Sequence, residues 1–334
     1  MIVQDKIYGT IEITDSTIID LINSKPFQRL KKISQDGASH FIQPQRNVTR
    51  YDHSIGTWYL SYRYNRPLEE QIASLLHDLP HTAFSHVIDF VMGDAKHEYH
   101  DHFIKEVIVN SEIPAILEKH NVELKDILAK ESYPLLDNDL PDISVDRFDY
   151  FLRDGFSMQL LPKETVDLFL HKVKEQDNIF YFDDVNTASL FAIMFMNCSR
   201  LIWLDPTSHG AFFLISESMK IALKKRYIVH KDFFTTDDVL MEKMKATNDA
   251  EINTLLDRLK PGYEFNYAPK EEAEFFGNNK PRFVDPWVLV EGKRKLLSTV
   301  VPGLKEYFTD FAKQHKSLGV KQHIIPEAVS VEQQ

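Results

Sequence analysis

An apolar helical stripe, Ile72, Leu75 and Leu76, runs into His77 and Asp78 and is stopped almost at once by Pro80. Proline has no amide hydrogen and its ring clashes with the preceding turn, so a helix beginning near Pro67 must end or kink there. The two polar side chains therefore sit at a helix end, facing a loop. That loop carries two more histidines, in Leu79-Pro80-His81-Thr82-Ala83-Phe84-Ser85-His86. The His-Asp pair reads in two ways. It is either part of a divalent-metal site, for which imidazole and carboxylate are suitable donors, or a salt-bridged core dyad.

The rest of the chain bears on that choice. It has 334 residues, 43% hydrophobic and 27% charged, with 23 Phe and 13 Tyr, which suits a packed globular chain. A net charge of −11 argues against nucleic acid as a partner while leaving room for a local basic pocket. The single cysteine, Cys198, excludes an intramolecular disulfide and fits a reducing compartment. No signal peptide is read at the N-terminus. The most apolar run, 191–196, is closed by Asn197 and Arg200 before it reaches a membrane span. A cytoplasmic protein with no membrane partner is expected.

Hydrophobic spacing and breakers predict a short strand or arm over 6–13 and helices over 51–64, 67–79, 84–92, 97–109, 144–153, 186–204 and 210–227. Beyond 261 the pattern changes to Pro- and Gly-punctuated segments with a strand at 287–290. The expected division is a helical core over 1–260 and a small mixed α/β appendage over 261–334, with a poorly ordered tail after Val320. Four candidate ligands, His53, His77, Asp78 and Asp146, fall on three separate predicted helices. Helical bundles build interior metal sites in this way. Two imidazoles and two carboxylates would leave coordination positions open for water and substrate.

The segments carrying these residues resemble, in order, those of the HD-domain metal-dependent phosphohydrolases, most closely the deoxynucleoside triphosphate triphosphohydrolase branch. Arg50-Tyr51-Asp52-His53-Ser54-Ile55-Gly56 is similar to that branch's Arg-Phe-Glu-His-Ser-Leu-Gly. His77 to His86 resembles its His-Asp-Leu-Gly-His-x-x-Phe-Ser-His run. Asp146-Arg147-Phe148-Asp149-Tyr150-Phe151-Leu152-Arg153-Asp154 resembles its Asp-Arg-x-Asp-Tyr-x-x-Arg-Asp. The resemblance implies an all-α HD-domain bundle. It implies one divalent ion (Mn, Fe, Mg, Ni or Zn) on His53, His77, Asp78 and Asp146. His86 would be the acid/base, oriented by Asp89 and His97, with His81 near the phosphates. Arg50 and Arg147 would clamp phosphate oxygens. Gln35, Tyr150 and Asp154 would read the sugar, and Trp203 falls where a tyrosine usually packs against it.

Departures from the pattern bear on substrate choice. Pro80 replaces a glycine, Asp36 an apolar residue, Trp203 a tyrosine and Asp205 a common histidine. The implied reaction is hydrolysis of a deoxynucleoside triphosphate to deoxynucleoside and triphosphate. A nucleoside monophosphate phosphatase, or another phosphoester hydrolase of the same fold, is the runner-up. A nucleotide-binding protein without activity is the alternative of another class. Family analogy also implies a homo-oligomer, a dimer.

Overall fold

The computed structural model describes residues 1–93 and 103–324. At its centre the Arg50–Arg63 helix packs on both Leu68–Leu76 and Val145–Ser157. Its start is fixed by a capping box, in which Thr49 and Asp52 satisfy each other's backbone amides. Ser144 caps Val145–Ser157 by accepting from the Arg147 amide. Small residues on the central helix let its neighbours approach. Thr57 Oγ1 donates to the Ser74 carbonyl at 2.9 Å, and the Ser61 and Ser74 hydroxyls meet at 2.7 Å. Behind Val145–Ser157 lies an aromatic core that includes Phe148, Phe151, Phe169, Phe191 and Phe195, all fully buried.

That core takes in the Val185–Cys198 helix, which continues through a π-helical turn, Ser199–Trp203. The helix expected over 186–204 thus forms across Asn197 and Arg200, with Arg200 projecting to the exterior. Among the described residues, Val185–Trp203 is the one helix long and apolar enough to cross a membrane by length and composition. Here its Phe191 and Phe195 face is enclosed in the protein core.

The expectation of an all-α fold needs correction. The chain is mainly helical, but the described residues also form three small sheets. Ile2–Asp5 and Gly9–Glu12 make an antiparallel hairpin in the N-terminal arm. A four-stranded sheet runs in the order Lys174–Gln176, Ile179–Phe182, Trp287–Val290, Lys293–Leu296, with a parallel pairing of Tyr181 to Trp287. A third sheet places Ser317–Ile324 between Tyr263–Tyr267 and Phe275–Asn278. Ordered strand thus extends past Val320, where the tail was expected to begin. These strands are three to eight residues long. Such short segments leave a weaker periodic signal than the helices beside them.

The loop after the His-Asp pair is held from outside. The helix expected from residue 84 begins only at Val87. Phe84 and Ser85 adopt left-handed backbone, with φ of 61° and 52°, at a cost on the order of 1 kcal/mol each for a non-glycine residue. Asp237 stabilises that geometry. Its two carboxylate oxygens accept from the Phe84 amide at 2.7 Å and the Ser34 amide at 2.9 Å. Arg29 donates to the carbonyls of Leu79 at 2.6 Å and His81 at 2.9 Å. One acid and one base therefore tie the His81–His86 loop to the segment bearing Gln35.

Candidate metal centre

His53 leaves the first turn of the central helix, His77 caps the end of Leu68–Leu76, and Asp146 opens Val145–Ser157. Ligand atoms from these three residues lie within 4.8 Å of one another. Each ring is anchored by its far nitrogen. His53 Nδ1 bonds to Asp149 Oδ2 at 2.7 Å, and His77 Nδ1 donates to the Ser74 carbonyl at 2.8 Å. Such anchoring selects the tautomer and aims Nε2 inward. His53 Nε2 meets Asp146 Oδ1 at 2.9 Å, and His77 Nε2 is buried with no hydrogen-bond partner among the described residues. A buried imidazole nitrogen left unpaired, beside a second imidazole and a carboxylate, fits a divalent transition metal.

Asp78 stands at the edge of this group. Its Oδ1 lies 3.3 Å from His77 Nε2 and 3.2 Å from His81 Nε2, while its Oδ2 is 3.8 Å from His53 Nε2 and accepts from Arg50 Nη1 at 2.9 Å. Burial would raise the Asp78 pKa, but Arg50, His77 and His81 outweigh it and hold the carboxyl well below its ordinary range. Burial likewise opposes charge on His53. Asp146, Asp149 and Asp78 overcome it and lift the imidazole to about 10. Asp146 is in turn held well below the usual range, burial notwithstanding, by the two imidazoles.

His86 Nδ1 contacts Asp89 Oδ2 at 3.0 Å, so the expected imidazole–carboxylate pair is formed. Burial lowers the His86 pKa, and Asp89 only partly restores it. The His81 ring stands edge-on to His86 at 5.0 Å and turns towards Asp78. His97 lies outside the described residues.

A cavity of about 1270 Å³ opens from this cluster. Its wall includes His53, His77, Asp78, His81, His86 and Asp146, and also every residue expected to touch substrate: Gln35, Arg50, Arg147, Tyr150, Asp154 and Trp203. Asp146, Tyr150 and Asp154 are spaced four apart on one helix, about 6 Å per step along its axis. The Tyr150 and Trp203 rings meet edge to face at 5.1 Å, and Trp203 Nε1 donates to Asp154 Oδ2 at 2.8 Å. Burial, together with nearby Asp36, pushes the Asp154 carboxyl up to about 6. Gln35 Oε1 is buried without a hydrogen-bond partner among the described residues.

The two arginines expected at the phosphates are largely engaged. Arg50 also donates through Nε to Ser85 Oγ at 3.0 Å. Arg147 gives Nη1 to Asn138 Oδ1 at 2.7 Å and the Asp142 carbonyl at 2.5 Å, and Nη2 to the Asn138 carbonyl at 2.9 Å. It braces the loop before its own helix. Residues with no role in the sequence reading appear instead. Asp149 accepts from His53, from Arg153 at 2.9 Å and from Tyr8 OH at 2.7 Å. Its i,i+3 spacing from Asp146, on the same helix face, was the available signal. Asn278, Asn279, Lys280 and Arg282 reach the cavity from the C-terminal part.

Two imidazoles and a carboxylate converge from three elements beside a large cavity, in a mainly helical protein, as a group that could hold a divalent metal. The HD-domain family profile matches residues 50–154, the stretch that supplies all of these groups. The chain is 34% identical to the uncharacterized protein YdhJ of Bacillus subtilis over 88% of its own length and 90% of that protein. It is 29% identical to the metal-dependent phosphohydrolase cns2 of Cordyceps militaris, over 62% of this chain and 61% of that one. It is 25% identical to the deoxynucleoside triphosphate triphosphohydrolase SAMHD1 homolog of Dictyostelium discoideum, over 75% of this chain and 56% of that one. The chain belongs to the HD-domain family of metal-dependent phosphohydrolases.

Proposed function

We propose that the protein hydrolyses a deoxynucleoside triphosphate to deoxynucleoside and triphosphate. The observation that carries this reading is the continuity of the cavity. One helix face runs from Asp146 at the metal cluster through Tyr150 to Asp154, about 12 Å along the axis, long enough to seat phosphate and sugar side by side. The similarity to the Dictyostelium protein supports the same reading.

His53, His77 and Asp146, with Asp78 at their edge, would hold the divalent ion. Such an ion supplies Lewis acidity, making hydroxide available near neutral pH and offsetting phosphate charge. The other roles belong to side chains. Tyr150 and Trp203 form an aromatic corner against which a sugar can pack. Asp154 above about pH 6 is an acceptor, and together with the unpartnered Gln35 Oε1 it suits a sugar hydroxyl. The attacking oxygen bonds to the α-phosphorus as the bond from phosphorus to O5′ breaks. His86, held by Asp89, gives O5′ the proton it needs to leave as alcohol and regains one from the attacking water; the bound polyanion favours its charged form against the burial that lowers its pKa.

A second reading, nucleoside monophosphate phosphatase, is favoured by the charge of the cavity. Seven carboxylates line it (Asp36, Asp78, Glu131, Asp137, Asp139, Asp146, Asp154) against four basic side chains (Arg50, Arg147, Lys280, Arg282). That balance suits fewer phosphates. Metal-loaded protein incubated with a panel of nucleoside mono- and triphosphates, products read by mass spectrometry, separates the two. Triphosphate plus nucleoside is the expected outcome. Inorganic phosphate from monophosphates alone selects the second reading, and no turnover of any nucleotide refutes both.

A further inference from the structure

We propose that Arg282, carried by the strap 279–286 that links the Phe275–Asn278 and Trp287–Val290 strands and lines the cavity, is the side chain that receives the substrate's phosphate oxygens. The proposal rests on the reading of the cavity as a nucleotide site. It starts from a shortage. Arg50 is paired with Asp78 and Ser85, and both terminal nitrogens of Arg147 are donated to Asn138 and to the Asp142 backbone carbonyl. A polyanion arriving at a cavity whose carboxylates outnumber its basic side chains needs a cation whose donors are not already committed.

Of the two basic side chains that remain, Lys280 is exposed, and Arg282, half-buried in the cavity wall, meets that need. Among the described residues no carboxylate pairs with its guanidinium. The group lies over aromatic faces instead, 5.5 Å from the Tyr150 centroid and 5.7 Å from that of Trp203. Stacking of this kind orients the plane of the guanidinium and leaves its edge donors and its charge available. Tyr150 is one helical turn from Asp146, so the cation lies over the helix face that leads to the cluster, in the wall of the same cavity. Its charge is also felt at Tyr150 and His86, although burial is the larger influence on each.

The strap is held firmly enough to make the position specific. The Asn279 amide donates to the Lys316 carbonyl at 2.8 Å, and Asn279 Oδ1 meets His209 Nε2 at 2.6 Å. The Arg282 amide donates to Ser199 Oγ at 3.1 Å. Phe283 stacks on Phe308 at 4.8 Å. The Asp285 amide donates to the Pro141 carbonyl at 2.9 Å, and its carboxylate accepts from Ser298 N at 2.9 Å. With the backbone pinned on both sides, the side chain pays little ordering entropy when an anion arrives.

The test uses full-length, metal-loaded protein and its variants Arg282→Gln, which keeps a planar end without charge, and Arg282→Lys, which keeps charge without the fork. Inorganic triphosphate, a deoxynucleoside triphosphate and the bare deoxynucleoside are titrated by calorimetry. A charge-assisted contact predicts a loss of about tenfold to hundredfold for both phosphate ligands in Arg282→Gln, with partial recovery in Arg282→Lys. The nucleoside affinity stays within about threefold of wild type. In turnover, KM rises more than kcat falls. Thermal unfolding of each variant establishes that it is folded, and the Lys variant serves where the Gln variant is not.

Unchanged triphosphate affinity in Arg282→Gln overturns the proposal. So does an equal loss for nucleoside and triphosphate, which marks Arg282 as an aromatic clasp. Wild-type protein that turns over no nucleotide but binds triphosphate through Arg282 would sink the nucleotidase reading and leave the anion anchor standing. Nucleotide turnover with an unmoved KM in Arg282→Gln would do the reverse.

Discussion

Gly56 lies one helical turn from His53, and adding a single methyl group to it should damage the metal centre without touching a ligand. A Cβ built there falls inside the van der Waals envelope of Asp149 Oδ1 and Arg153 Nη2, and 2.6 Å from Asp149 Cγ. Asp149 cannot step aside. It is fully buried and is held by His53 Nδ1 at 2.7 Å, Tyr8 OH at 2.7 Å and Arg153 at 2.9 Å and 3.0 Å, while Arg153 also pairs with Asp5 at 3.0 Å. Overpacking a tight site costs about 1–3 kcal/mol, and breaking one partner out of a buried ion pair about 3–5 kcal/mol. Partial relaxation makes about 3 kcal/mol a reasonable expectation for Gly56→Ala, a melting temperature lower by about 4 °C for a chain of this length. Displacing Asp149 also releases the His53 ring, for which loss of a ligand's hydrogen-bond partner lowers metal affinity by about tenfold to hundredfold. Gly93→Ala is the control. Its φ is +72°, nothing among the described residues stands within 4 Å of the new methyl, and it should cost about 1 kcal/mol with metal affinity unchanged. Thermal unfolding with and without chelator, plus calorimetric metal titration, reads both quantities. A Gly56→Ala protein that melts within about 1 °C of wild type and binds metal normally would refute the claim that Asp149 orients His53.

Two further outcomes follow from the buried carboxyls. Burial and Asp36 push Asp154 up to about 6, while the Trp203 indole donor pulls it down. Nucleotide affinity that uses Asp154 as acceptor is therefore present above that pH and lost as pH falls through it. Trp203→Phe removes the donor and should shift this limb of the KM–pH profile to higher pH; an unmoved limb means that another group titrates. Asp237 is pushed by burial to about 7, against the opposing Phe84 and Ser34 amides. A carboxyl that binds its proton more tightly folded than unfolded favours the native state at low pH, and that contribution is lost as pH rises from about 4 through 7. Urea unfolding at pH 5 and pH 8 should show a smaller drop in Asp237→Asn than in wild type, on a baseline lowered by about 1–3 kcal/mol for the orphaned Ser34 amide. An identical pH dependence in the two proteins would remove Asp237 from the account.

What could be read from the chain follows from which signals are local. The His77-Asp78 pair at a Pro-terminated helix end, and the helices bearing His53 and Asp146, are set by hydrophobic period and by caps such as Thr49 and Ser144, all within a few residues of the groups they place. The late start of the Val87 helix was not legible, because Phe84 and Ser85 carry no glycine-like signal. Their left-handed backbone depends on Asp237, about 150 residues away in sequence. The sheets were under-read for a related reason. Tyr181 and Phe182 pair with Trp287 and Val288, and neither short segment announces its partner.

The arginines show the same limit in a functional setting. A motif places Arg50 and Arg147 at the site, and both are there, but a guanidinium has five donors on a long stem and its direction is decided by whichever acceptors surround it. Asp78 and the Asn138–Asp142 loop are those acceptors, so each arginine stabilises a ligand or a loop in the absence of substrate. A cation committed in this way can turn those donors to a phosphate only by giving up a buried ion pair, for Arg50, or buried hydrogen bonds, for Arg147. An arginine resting on aromatic rings gives up much less. Arg282 is therefore favoured for substrate contact on energetic grounds, although it lies more than a hundred residues beyond the last motif and nothing near Lys280-Pro281-Arg282 marks it as part of the centre. If that argument holds, exchanging Arg50 or Arg147 should disturb metal binding and folding before it disturbs phosphate affinity. Exchanging Arg282 should do the opposite, and paired measurements on the three variants decide between the two assignments.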